Sequence, residues 1–308
     1  MNEQLLPWQQ QAIQMDRNGL SRRSIATRLD KPKSTVSDFL KLQETKPKLY
    51  EEHTTHLYIP DSQVRKGVSL EYLRWIGEYI VRKRPSVIIH AGDFADMESL
   101  STYDKGKRTA EGKRVQEDIN VAHKGMETLL GPLRKLQAEQ AEKGEAVYMP
   151  RMVLTLGNHE DRINRHVDAN PELHGFLSTD SLKYREFGWE VIPFLTPVII
   201  DGIAYCHYFP NNMTGKPLGG SAMNMLKTIG RSFTQGHKQT LDVTTRFLPS
   251  DGQQQWGIIA GAAYTHDEDY KGVQGNRHWR GIILKHNVKN GSYDPLFISL
   301  DWLERQYG

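Results

Sequence analysis

The sequence predicts an α/β protein with a short all-helical segment ahead of it, and three observations carry this. Between residues 55 and 156 short β-rich runs alternate with long helical patterns, which implies a sheet with at least one parallel portion. From Val191 onward the chain reads mostly as strands. Residues 1–45 read as three short helices with no strand. The expected organisation is a helical domain at 1–45, a linker at 46–54 around Lys46-Pro47-Lys48, and an α/β domain at 55–308.

Composition narrows the class. The chain has 308 residues, and a hydrophobic share of 38% is enough for a packed core. No apolar run approaches the ~18 residues of a membrane-spanning helix, and Met1 to Gln11 lacks the layout of a signal peptide. The single cysteine, Cys206, excludes an internal disulfide and fits a reducing cytoplasm. It sits in an apolar run, so a buried, inert thiol is expected. Net charge is +3 and unevenly spread. Residues 1–50 hold 9 Lys/Arg against 5 Asp/Glu, and the remainder holds 31 against 32. The basic excess therefore belongs to the helical segment, as for a polyanion-binding appendage on a near-neutral body.

In the helical segment, Leu5-Leu6-Pro7-Trp8 leads into a helix over Gln9–Arg17, with Ala12, Ile13 and Met15 inward and Asn18-Gly19 as its stop. Ser21 is the expected N-cap of a second helix, Arg22–Leu29, whose inner face is Ile25, Ala26 and Leu29. Asp30-Lys31-Pro32-Lys33 is a turn. Ser34 is expected to cap a third helix, Thr35–Gln43, with Val36, Phe39 and Leu40 at i, i+3 and i+4. Two helices, a tight turn and a third helix with a polar start make a helix-turn-helix pattern. The segment resembles the helix-turn-helix of resolvases and phage regulators in Gly19-Leu20-Ser21, Ile25-Ala26 and Ser34-Thr35-Val36. That resemblance puts the third helix in a DNA major groove, with Arg22, Ser34, Thr35, Ser37 and Lys41 on bases and phosphates. The alternative is a three-helix module that touches protein. A dimer is compatible with either reading.

In the second part, strands are expected at Thr55–Ile59, Ser86–His90 and Arg151–Leu156, with helices at Leu70–Arg82 and Asp118–Ala141 between them. Further strands are expected at Val198–Ile200, Ile203–Tyr208, Ser232–Thr234, Trp256–Ala260, Gly281–His286 and Pro295–Leu300. Polar clusters follow these runs, at the strand ends where open α/β sheets bind ligands. Asp61, Asp93 and Asn158 each follow an apolar strand, as do His207 and His237. Five strand ends thus deliver oxygen or nitrogen donors.

The order Asp61-Ser62-Gln63, Gly92-Asp93, Gly157-Asn158-His159-Glu160, His207 and Gly236-His237-Lys238-Gln239 resembles the calcineurin-like metallophosphoesterase family. That family reads Asp-x-His, Gly-Asp, Gly-Asn-His-(Asp/Glu), His and Gly-His-x-His. The likeness covers about Thr55 to Gln239 plus the trailing strands. It implies a two-sheet αββα sandwich and a two-metal phosphoesterase, together with a phage or prophage setting and hence a host-cell cytoplasm. It also implies the ligands: Asp61, Gln63, Asp93 and Gln239 for a first metal, and Asp93, Asn158, His207 and His237 for a second. Asp93 would bridge two ions ~3.5–4 Å apart that activate a shared water for attack on a phosphodiester. His159 would protonate the leaving oxygen, and Glu160 would fix the His159 tautomer.

Gln63 and Gln239 depart from the family histidines, and both fall on the same metal. An amide oxygen is a hard neutral donor, so two divalent ions of the Mn²⁺ or Mg²⁺ kind are expected rather than Zn²⁺. The alternative is an empty first site. His90 reads as a core residue, Asp96 as support for the ligands, and His266 as part of a solvated turn.

Substrate features point to nucleic acid. The insert between Glu98 and Asp118 carries Lys105, Lys107, Arg108, Lys113 and Arg114, with Tyr103 available for stacking. Asn276-Arg277-His278-Trp279-Arg280 is a second cationic and aromatic patch; an ordinary solvated loop is the alternative for the insert and the preferred reading of this patch. Arg162 and Arg165 are candidates for phosphate oxygens. A DNA-directed nuclease is the leading expectation. Its rivals are a phosphatase acting on protein or small molecules, and a non-catalytic DNA-binding protein with a structural metal site.

Overall fold

The computed structural model describes residues 7–17, 20–45, 54–102, 106, 108, 111–268 and 272–308. The chain separates into two compact units, Met1–His53 and Thr54–Gly308. Lys46-Pro47-Lys48 and Asn18-Gly19 lie outside the described residues.

The first unit is three helices: α1 Pro7–Arg17, α2 Arg22–Arg28 and α3 Lys33–Thr45. Ser21 caps α2, its hydroxyl accepting the Ser24 N–H at 3.2 Å. Ser34 does not cap α3. The helix begins one residue earlier, with the Pro32 carbonyl accepting the Val36 N–H at 3.2 Å. A proline at a helix start forfeits no hydrogen bond, because the first N–H groups have no partner within the helix. Ala12, Ile25, Ala26, Val36 and Leu40 are buried together as a small core.

The second unit holds a six-stranded and a five-stranded mixed sheet. Its strands are β1 Thr54–Ile59, β2 Val87–His90, β3 Arg151–Thr155, β4 Glu190–Ile192, β5 Val198–Ile200 and β6 Ile203–Cys206. They continue with β7 Phe233–Gln235, β8 Asp242–Phe247, β9 Gln254–Ile259, β10 Gly281–Lys289 and β11 Ser292–Ser299. The helices are α4 Glu71–Lys83, α5 Val115–Glu142, α6 Asp161–Ala169, α7 Ala222–Ile229, α8 Gly272–Gly275 and α9 Leu300–Tyr307. Thr54, expected in the linker, opens β1. The larger sheet runs β11-β10-β1-β2-β3-β4 and the smaller β5-β6-β7-β9-β8.

Side-chain alternation assigns the faces. Tyr58, Ile89, Val153 and Ile283 of the larger sheet pack on Ile203, Tyr205 and Ile258 of the smaller. Leu57, Ile59, Ile88 and Leu154 point the other way, onto Ile76, Ile80, Met126, Leu129 and Leu303 of α4, α5 and α9. Ala204, Cys206, Phe233 and Ile259 pack on Met225 and Leu226 of α7. The result is a sandwich of two sheets with helices on its outer faces. Cys206 is buried as expected, and burial pushes its thiol up to about 12. None of the described helices is long and apolar enough to cross a membrane.

One buried lysine sits between the sheets. Lys285 of β10 is fully buried and donates to Thr234 Oγ1 at 2.6 Å and Tyr205 Oη at 3.1 Å. Its ammonium also lies 4.4 Å and 4.7 Å from the ring centres of Tyr205 and Tyr293. Tyr205 Oη is 2.7 Å from His56 Nδ1, and His56 Nε2 is 2.9 Å from Asp201. Burial pushes the Lys285 ammonium well below its ordinary 10.5. The folded chain therefore sheds a proton that the unfolded chain keeps, so unfolding takes up a proton and stability rises with pH in that window. Denaturant titrations of the wild type should show stability rising with pH up to the ordinary lysine value of 10.5. Lys285→Met should lack that rise, and equal slopes in the two proteins would show that Lys285 keeps an ordinary proton affinity.

Candidate metal centre

Parallel pairing gathers the donors. Strands β1, β2 and β3 run parallel, with Ile59, His90 and Leu154 in register. In the other sheet, β6, β7 and β9 run parallel, with Cys206, Gln235 and Ile259 in register. The residues that follow these ends form the site.

Asp93, His207 and His237 place one donor atom each within 4.8 Å of one another, so this cluster could hold a metal ion. His207 Nδ1 donates to the Ala91 carbonyl at 2.9 Å, which leaves Nε2 facing Asn158 Oδ1 at 2.9 Å and Asp93 Oδ2 at 3.4 Å. With Nδ1 committed to that carbonyl, Nε2 is the ring nitrogen turned towards the two oxygens, and a cation could be held among the three atoms. His237 Nδ1 is 2.8 Å from the same Asn158 oxygen. Burial and the neighbouring His207 lower the His237 imidazole to about 4, so its lone pair is available. Burial would raise the Asp93 carboxyl, but His159, His207 and His237 hold it below the usual carboxylate value.

Asp61 is fully buried. Its carboxylate accepts the His237 N–H at 3.1 Å and Gln239 Nε2 at 3.2 Å. Burial raises its carboxyl, against the pull of His207. Gln63 is 1% exposed, and neither atom of its amide has a hydrogen-bond partner among the described residues. Burying such a group unpaired costs ~1–3 kcal/mol, so its amide is a fitting donor for an ion. Gln239 is turned differently from the expectation. Its oxygen accepts from Tyr264 Oη at 2.8 Å, and its nitrogen faces Asp61, because a carboxylate selects the donor end of an amide.

The backbone is bent to make this convergence. Gln63, Asp93, His237 and Gln239 have φ of 41°, 46°, 64° and 57°. The left-handed region costs a side-chain-bearing residue roughly 1–2 kcal/mol, and four proposed ligands adopt it. Two motif glycines are explained by crowding. A Cβ on Gly157 would run into the Asp93 carboxylate, and one on Gly236 into the Asp61 carboxylate.

His159 and Glu160 sit beside the donors with a different division of labour from the one expected. His159 Nδ1 lies 2.8 Å from Asp96 Oδ1, so Asp96 orients the ring and Glu160 does not. Glu160 is fully buried. Its oxygens accept N–H groups of Asp93, Phe94, Ala95 and Gly157 at 2.8–3.2 Å, and the Tyr184 hydroxyl at 3.1 Å. Its acceptors are filled by backbone, which is why it cannot serve His159. Burial opposes protonation of His159, but Asp93 and Asp96 outweigh it and raise its imidazole.

Arg162 and Arg165 contact residues of this site. Arg162 donates to the Asp96 carbonyl at 2.8 Å and lies 3.0 Å from His159 Nε2. Arg165 donates to the Asn158 carbonyl at 3.0 Å. Ser34, Thr35 and Lys41 are exposed on α3, and Arg22 and Ser37 are half-buried. Arg108 is exposed, whereas Tyr103, Lys105 and Lys107 lie outside the described residues. Arg280 of the second cationic patch pairs with Asp267 at 2.6 Å. His90 is buried and bonded to Ser62 at 2.9 Å, as a core residue should be. His266 is not part of a solvated turn: it is half-buried, stacks on Tyr264 at 4.6 Å and lies 3.1 Å from Glu268. Tyr264 was missed from sequence, although it follows β9, a third parallel strand end of the same sheet.

No protein-family model matches the chain, and no curated protein matches it. Among solved structures, a nuclease, MPE of Pseudomonas putida, is similar at 15% identity over 78% of this chain and 87% of its own, with a TM-score of 0.28. A second solved chain shares 13% identity over 80% of this chain and 98% of its own, with a TM-score of 0.31. Likenesses this distant carry no functional argument, so the site's own chemistry must bear the reading.

Proposed function

We propose that this chain is a metal-dependent phosphoesterase that hydrolyses phosphodiesters, and that its substrate is DNA. The observation that supports this best is the convergence of buried Asp61, Asp93 and His207 with half-buried His237, Asn158 lying between the two imidazoles, at strand ends of both sheets. Asp61, Gln63 and Asp93 would hold one divalent ion, joined by Gln239 only if its amide turns its oxygen away from Tyr264, and Asp93, Asn158, His207 and His237 would hold another. Bound ions supply positive charge to the phosphoryl oxygens and make a water acidic enough to attack at neutral pH.

The chain's own residues do the rest. Asp96 holds the Nδ1 side of His159 and favours its protonated ring. An arriving phosphate draws the Arg162 guanidinium onto its oxygens, which leaves Nε2 of His159 to deliver a proton to the leaving oxygen. Glu160 keeps the Asp93 and Gly157 loops at their spacing. For the helical unit we favour a helix-turn-helix that tethers the enzyme to DNA. The short link between α2 and α3 and the exposed polar start of α3 support this. Tethering raises the local concentration of scissile bonds without any sequence-specific chemistry.

Chelated protein should hydrolyse no diester, and Mn²⁺ or Mg²⁺ should restore turnover, because the first site offers only oxygen donors. Full activity with zinc alone, unstimulated by manganese, would contradict that assignment. His159→Ala should slow turnover of a poorly leaving alcohol by ~10²–10⁴-fold and of p-nitrophenolate far less, as for a lost general acid. Equal losses for both would mean that His159 has another task. Arg22→Glu with Lys41→Glu should weaken duplex affinity and DNA cleavage together, relative to turnover of a small aryl diester. DNA cleavage that survives the loss of affinity would remove the tether from the account.

A further inference from the structure

Beside Asn158 the structure opens a cavity of about 320 Å³, with Arg165 and Asp161 of α6 on one side and Phe194 and Tyr208 on another. The aromatic wall continues the proposed metal centre outward. The Tyr208 ring centre is 4.7 Å from that of His237, and the Phe194 ring stands edge-on to Tyr208 at 5.5 Å and 88°.

The segment carrying Phe194 is built with strain. A tight turn, closed by the Thr196 N–H on the Pro193 carbonyl at 3.1 Å, puts Leu195 at φ 62°. Glycine or asparagine ordinarily takes such a corner. A leucine held there stores strain of the kind that collects at ligand-binding positions. Arg165, which also lines the cavity, is anchored through the Asn158 carbonyl and through Asp161 at 3.3 Å, yet its side chain is 55% exposed. A guanidinium edge therefore remains for a phosphate oxygen.

An aromatic face and a guanidinium beside a phosphoryl-handling centre is the pairing that reads a base and its phosphate in single strands. The volume lies at the small end of the ~300–1,000 Å³ of small-molecule sites, which admits one flat ring with its sugar and excludes a base pair. We propose that this cavity receives one unpaired nucleotide of the substrate, its base stacked on Phe194 and its scissile phosphate held by Arg165. This deepens, and rests on, the phosphodiesterase reading above, and it makes Phe194 the residue that sets substrate class.

The test compares thymidine 5′-(p-nitrophenyl phosphate) with ethyl p-nitrophenyl phosphate, using the full chain with Mn²⁺. The two share a leaving group and differ in the nucleoside. The nucleoside ester should be preferred in kcat/KM by about tenfold or more, the scale of one base stacked on an aromatic ring. Phe194→Ala should bring that ratio towards one, and Phe194→Trp, which still stacks, should keep it. Equal kcat/KM for the two esters in the wild type would overturn the proposal, as would a ratio indifferent to Phe194→Ala or a phosphotyrosine peptide turned over faster than the nucleoside ester. Calorimetry separates this from failure of the chemistry. If neither diester is hydrolysed, the phosphodiesterase reading has failed. The nucleotide site then stands only if thymidine 5′-phosphate binds at least about tenfold tighter than ethyl phosphate, and falls if the two bind alike.

Discussion

The site depends on one carboxylate that belongs to neither proposed metal. Glu160 gathers four backbone N–H groups, from Asp93 to Ala95 on one loop and from Gly157 on the next. These loops follow different strands, and nothing else described between them makes as many directed contacts. Each bond to an ionised group contributes more than a neutral one, ~1.5–3 kcal/mol. The staple fixes the backbone at Asp93 in its left-handed turn, which aims the side chain at His207 and His237. With the loops so fixed, Gly157 must lack a side chain, and His159 is left facing Asp96.

The electrostatics follow from burial. Asp61, Asp93 and Glu160 are all buried at one rim, and like charges there resist ionising together. Imidazoles offset this for Asp93, whose carboxyl stays low, while Asp61 is pushed up. Gln63 and Gln239 add neither charge nor a titrating group to this set. Asp61 is then the single anion exclusive to the first site, which explains why it attracts the amide nitrogen of Gln239.

Much of this was legible in the sequence because it is local. Strand, helix and ligand motif each occupy a few consecutive residues, and the apolar runs at Thr55–Ile59 and Ser86–His90 announce buried strands. What stayed hidden depends on partners far along the chain. Strand β8 was missed because its side chains alternate between half-buried and exposed at a sheet edge, where the apolar signal is weak. Helices α6, α7 and α9 are eight or nine residues long, too short to establish a period. The separate tasks of Asp96 and Glu160 could not be told apart, since both are acids near His159 and only the folded loops decide which one reaches the ring. Nothing in the sequence marks Lys285, because the hydroxyls and ring faces around it come from β6, β7 and β11.

Lys285 also bears on how the two halves of the site keep their alignment. Its ammonium grips Thr234 and Tyr205, which lie three and two residues ahead of His237 and His207 on neighbouring strands. The larger sheet supplies Asp61, Asp93 and Asn158, and the smaller supplies the imidazoles. Sliding one layer over the other by a single residue would part the donors and leave the buried Lys285 amine without its partners at the same time. Assembly of the site and closure of the sandwich are therefore a single cooperative event, and neither sheet alone can carry half of the chemistry.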